Sequence, residues 1–161
     1  MRYSRIFAAA AALSSSIALA QAPAERAMPL AFANDLAASA VAACQAKGYA
    51  VTATVVDRAG QVKAVQRADG AGPHTLDASR RKAYTSASAR NLTSAMLEAS
   101  QKTPGAQYLG QIDGFLLLGG GVPVRAGNEV VGAIGVGGAP GGHLDEMCAQ
   151  AALEKTKSLL N

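Results

Sequence analysis

Between Leu30 and Lys47 small or apolar residues recur at helical spacing, with Ala33, Ala37, Ala40, Val41 and Cys44 on one stripe. That period predicts a helix with one buried face, stopped by Gly48. The period then shortens to two. AVTATVVD alternates as a strand, RAGQ turns and VKAVQRAD returns, so residues 50–69 predict a hairpin. DGAGP at 69–73 is a loop, after which Thr75 caps a helix through LDASRRKAYTSASAR, with Asp77 placed to suit the helix dipole. A further helix, TSAMLEASQ, begins near Thr93, and TPGAQ at 103–107 is a connection.

The last third changes character. Twelve of the 17 glycines lie between Gly110 and Gly142, interleaved with β-branched and leucine runs. GFLLLGG, VPVRA and VVGAIGV predict strands, with AGNE as the turn of a second hairpin, and a final helix runs from about Leu144 to Leu160. Gly132 and Gly135 leave gaps on the sheet where a backbone or a ligand can approach closely. The order of elements predicts a single α+β domain over residues 30–161, with antiparallel pairs dominant.

The N-terminal twenty residues follow a different pattern: Arg2 and Arg5, an apolar middle from Ile6, then small residues at Ala18 and Ala20. This is the three-part form of a secretory signal peptide with cleavage expected after Ala20, leaving a polar leader over 21–29. Against a membrane anchor stand Ser14, Ser15 and Ser16 and an apolar stretch shorter than the ~20 residues a spanning helix needs. Periplasmic or secreted localisation is the expectation, and no later segment is long and apolar enough to span a bilayer. Without residues 1–20 the formal net charge falls from +4 to +2. With so small a charge and few aromatic residues, nucleic acid is excluded as an expected partner. Export also permits a disulfide. Cys44 and Cys148 both sit on apolar helical stripes, which suits either a bridge or two separately buried thiols.

GGAPGGHLDE, residues 137–146, brings four glycines up to His143. A dinucleotide fingerprint fails because its third glycine position is Pro140, and a Walker loop fails because His143 and Leu144 follow Gly142. There is no G-x-S-x-G elbow, no C-x-x-C-H and no C-x-x-C pattern. The glycines read best as a tight exit from the last strand into the final helix.

Several ordered motifs carry a family resemblance: D-x-x-G at Asp57 to Gly60, R-x-D-G-A at Arg67 to Ala71, K-A-Y-T at Lys82 to Thr85, and GGGVPVRAGNEVVGAIGVGG followed by GGHLDEMCAQAALEK. Over roughly residues 30–160 the chain resembles the GlcG/HbpS-like haem-binding family, related to the C-terminal domain of PduO proteins. The resemblance implies a compact α+β domain with a central antiparallel sheet flanked by helices in a three-layer, profilin/PAS-like arrangement, homo-oligomers that are often octameric, and non-covalent haem binding. Some members have been linked to extracellular haem sensing or haem degradation.

A haem pocket needs an apolar slot, an axial donor and cations for the propionates. His74 and His143, each at a loop-to-helix junction, are the candidate iron ligands. Arg80, Arg81 and Lys82 are the candidate propionate cations, and Phe115, Leu116 and Leu117 the candidate apolar wall. Met96 and Tyr84 are secondary ligand candidates that read equally as core. Each histidine also reads as a helix-start residue, and the basic run as a solvated helix face or a subunit contact. The expected ligand is a tetrapyrrole bound for transport, buffering or sensing. An enzyme using the same pocket, or a scaffold with a vestigial one, stands as the alternative.

Overall fold

The computed structural model describes residues 26–160. The expected signal segment, its cleavage point and the first part of the leader lie outside them. Helix α1 spans Leu30–Gln45 and buries Phe32, Ala33, Leu36, Ala37, Ala40 and Cys44, the stripe set by its spacing. Gly48, at φ 81°, turns the chain into the sheet. Met28, placed by its sequence in the polar leader, belongs to the hydrophobic core.

Strands β1 (Thr52–Asp57) and β2 (Val62–Arg67) form the first hairpin. Its turn is held by Asp57 Oδ1, which accepts from the backbone N–H groups of Ala59 and Gln61 at 2.9 Å each. Strands β3 (Gly121–Ala126) and β4 (Glu129–Gly137) form the second hairpin. The four strands make one antiparallel sheet in the order β2-β1-β4-β3. Helices α2 (Thr75–Ala89), α3 (Thr93–Lys102) and α4 (Gly142–Thr156) complete the domain. Among the described residues no helix is long and apolar enough to cross a membrane.

The two faces of the sheet are covered by different chemistry. On one, α1 and α4 pack on Val51, Ala53, Val55, Val124, Ile134 and Val136. There the Cys44 and Cys148 sulfurs are bonded, with a Cα–Cα distance of 5.4 Å and a sequence separation of 104. On the other face α2 lies directly on the strands through small and polar residues. Thr52 and Thr75 share a hydrogen bond of 2.6 Å, and Thr54 and Ser79 one of 2.8 Å. These pairs satisfy hydroxyls that burial would otherwise penalise.

The close approach expected at Gly132 and Gly135 is made by the protein's own atoms, and no gap is left open there to a ligand. A Cβ on Gly135 would lie 2.1 Å from Ser79 O and 2.4 Å from Ala83 N, so the α2 backbone fills that space. A Cβ on Gly132 would meet Val56 O at 2.2 Å and Met28 Cε at 2.7 Å. One expectation is corrected: GFLLLGG does not form a strand, because its backbone groups bond to helix side chains instead of a ladder. Leu116 N donates to Thr85 Oγ1 at 2.8 Å, the Arg81 guanidinium donates to Phe115 O, and Thr93 Oγ1 donates to Leu118 O at 2.7 Å. Side chains of α2 and α3 supply the partners that a neighbouring strand would otherwise give.

Candidate functional site

At its start α4 is pinned on three sides. Gly142 passes so close to Gly119 that a Cβ on Gly142 would lie 2.8 Å from Gly119 O, which explains glycine at this junction. Asp145 points inward, where Oδ2 accepts from Lys82 Nζ at 2.7 Å and Oδ1 from Ala139 N at 2.9 Å. Lys82 Nζ also donates to Val136 O at 2.9 Å. Burial pushes the Asp145 carboxyl above its ordinary pKa, while the charge and hydrogen bond of Lys82 and the backbone N–H groups of Ala139 and Gly138 pull against it. The pair ties α2 to α4 at the end of β4.

With Asp145 turned in, the opposite side of the helix faces out. His143, Glu146, Met147 and Gln150 stand at i, i+3, i+4 and i+7, a single stripe. This stripe forms one wall of a groove of about 380 Å³, with Ser94 and Leu97 of α3 opposite and Leu118 and Gly119 at one end. Its size falls toward the small end of the roughly 300–1,000 Å³ usual for ligand sites. His143 is exposed, and Leu97, Leu118 and Met147 are the apolar members. Glu146 Oε1 is 3.5 Å from Gln150 Nε2, whereas Oε2 is buried with no hydrogen-bond partner among the described residues.

Of the residues singled out from the sequence, His143 alone lines this groove. His74 is exposed at the start of α2, its ring folded over Gly72 as that of His143 is over Gly141, and it is not among the residues lining the groove. Lys82, 2% exposed and committed to Asp145 and Val136 O, is withdrawn from any ligand carboxylate. Arg81 clamps the carbonyl of Phe115, and Arg80 pairs with Asp77 at 2.8 Å on the surface. Tyr84 meets Phe115 edge-on, ring centroids 6.2 Å apart, and Met96 is buried; both are packing residues. Phe115 belongs to that cluster and not to the groove.

Sequence reasoning missed Glu146, Met147 and Gln150. The signal was present in the helical spacing from His143, but the partner wall on α3 is a tertiary contact. It missed the Lys82–Asp145 pair as well. A lysine flanked at helical spacing by Ser79 and Ser86, both small and buried, was the available sign.

Residues 28–154 match the family model described as haem degrading protein HbpS-like. A crystal structure of a double mutant of HbpS from Streptomyces reticuli superposes with a TM-score of 0.80 at 36% identity, covering 90% of this chain and 97% of that one. An uncharacterized 15.0 kDa protein of the dhaT-dhaS intergenic region of Citrobacter freundii is 36% identical over 108 residues, 65% of this chain and 74% of its own. The PduOC:heme complex shares the fold, with a TM-score of 0.71 at 21% identity over 80% of this chain and 94% of that one. The ordered motifs, the four-stranded sheet with its helical layers and the match over residues 28–154 agree: the chain belongs to the HbpS-like family.

Proposed function

We propose that the chain binds haem or a related tetrapyrrole non-covalently in the groove between α3 and α4, with His143 as the axial donor. The observation that carries this reading is an exposed imidazole on an apolar-sided groove, set on a helix turn that the Lys82–Asp145 pair holds in place. A neutral imidazole is the form that ligates iron. Leu97, Leu118 and Met147 would supply the apolar contact for a bound ring, and Arg81 and Lys82, committed elsewhere, would not be available to its carboxylates. When bound, haem supplies iron-centred redox and ligand-binding chemistry. The chain supplies the donor, the apolar contact and the geometry. The family affiliation and the haem named in the PduOC structure support the reading.

The proposal extends to an exported, homo-oligomeric protein serving haem transport, buffering or sensing. The buried Cys44–Cys148 bridge suits an oxidising compartment. β2 and β3 are both sheet edges, which offer surfaces for self-association. The family description favours a second reading, oxidative haem breakdown in the same groove. A defined tetrapyrrole product on adding reductant or peroxide, instead of general bleaching, selects that reading.

Haemin titration tests the site. The wild type and His74→Ala are expected to give a saturable shifted Soret band that His143→Ala loses. Ser94→Trp, which places a large ring in the groove from the α3 side, is expected to weaken binding as well. Equal binding by all four proteins, or no binding by the wild type, contradicts the proposal.

A further inference from the structure

Three arginines from separate parts of the chain converge at the other end of the sheet. Arg26 precedes α1, Arg90 follows α2 and Arg125 lies on β3. With Gly127 and Asn128 of the β3–β4 turn they line an open basin of about 550 Å³. β4 runs from this basin to the α4 end, so the basin stands roughly 25 Å from the groove by strand rise. The acidic residue in its lining, Glu129, is ion-paired with Arg58. Among the described residues no carboxylate pairs with Arg26, Arg90 or Arg125. Residues 21–161 carry a formal net charge of only +2. The concentration of charge is therefore local.

Arg90 carries a second, independent feature. It is the one non-glycine residue at positive φ among the described residues, with φ 55° and ψ 31°. That left-handed cap position ordinarily takes glycine, which has no Cβ to crowd the backbone carbonyl, or asparagine, whose side chain bonds locally. The negative end of the α2 dipole helps to hold Arg90, and Arg125 donates to Arg90 O at 3.3 Å. Neither contact explains Arg26. Neither explains why a strained arginine stands where glycine would be relaxed, a cost that points to a use for the side chain.

We propose that this basin binds a small polyanion presenting two or more carboxylate or phosphoryl groups. Guanidinium forks match both groups in planar, two-point contacts, and three forks from three directions select for a ligand with more than one anionic group. The site is independent of the haem reading, because it shares no residue with the groove.

Isothermal titration of haemin-free protein with citrate and with pyrophosphate, at low ionic strength, tests it. At least one probe is expected to bind saturably. Arg26→Gln and Arg90→Gly should each weaken binding about tenfold or more, the loss of one charge-assisted contact. Arg90→Gly should do so with an unchanged or higher Tm, since glycine relieves the strained cap, and His143→Ala should bind as the wild type does. Preference for citrate identifies a carboxylate ligand, and preference for pyrophosphate a phosphoryl one. Absence of binding by both probes, or undiminished binding by the arginine variants, overturns the proposal. So does a lower Tm for Arg90→Gly with binding intact, which would make the arginine purely structural.

Discussion

Lys82 Nζ on α2 lies 2.7 Å from Asp145 Oδ2 on α4, with both side chains almost wholly buried. A Cβ on Gly120 would fall 2.8 Å from Asp145 Cβ and 3.1 Å from Lys82 Nζ, so the pair is also closed in by backbone. Removing one partner from such a pair leaves an uncompensated charge in the interior. Lys82→Met is therefore expected to cost about 3–5 kcal/mol, and pairing it with Asp145→Asn to recover much of that loss. Urea unfolding of the two variants measures both.

The same pair predicts a pH dependence. Burial raises the folded pKa of Asp145 above its ordinary 3.8, so the folded state binds a proton that the unfolded chain has released. The contribution from this group is fully present below 3.8 and is lost as pH rises through the folded value. The stability of the wild type relative to Asp145→Asn should accordingly fall across that window and level off above it. Urea midpoints of both proteins over the acidic range measure the trend, and a relative stability that rises with pH there contradicts it.

The bridge from Cys44 to Cys148 closes a loop of 104 residues, which restricts the unfolded chain strongly. Its loss, by reduction and alkylation or by Cys44→Ala with Cys148→Ala, should cost about 4 kcal/mol. Thermal unfolding of oxidised and reduced protein checks this.

Gly135 supports α2 by having no side chain. Gly135→Ala drives a methyl into the backbone of Ser79 and Ala83 and should cost about 2 kcal/mol or more. Because α2 carries Lys82, the shift should also reach the start of α4. Chemical denaturation measures the first effect, and NMR shifts of His143 the second.

Where the pattern was local, the sequence carried the fold. The stripe of α1, the Asp57 turn and the glycine-rich exit into α4 are each written in a few consecutive residues. GFLLLGG misled because apolar composition does not say where backbone groups find partners, and here Thr85, Arg81 and Thr93 provide them. The basic run at 80–82 likewise needed the fold to be read. Three adjacent cations point in three directions around a helix, and only the fold decides that Lys82 faces Asp145, Arg81 faces Phe115 and Arg80 faces solvent. His143 was legible as a candidate, but the wall opposite it on α3 was not, because nothing local links Ser94 and Leu97 to residues some fifty positions later.

The most direct measurement is an iron anomalous-difference map from crystals of the haemin-loaded protein. The account predicts a single peak beside the His143 imidazole, between α3 and α4, with the ring against Leu97, Leu118 and Met147. A peak beside His74, or on any surface away from that groove, contradicts it.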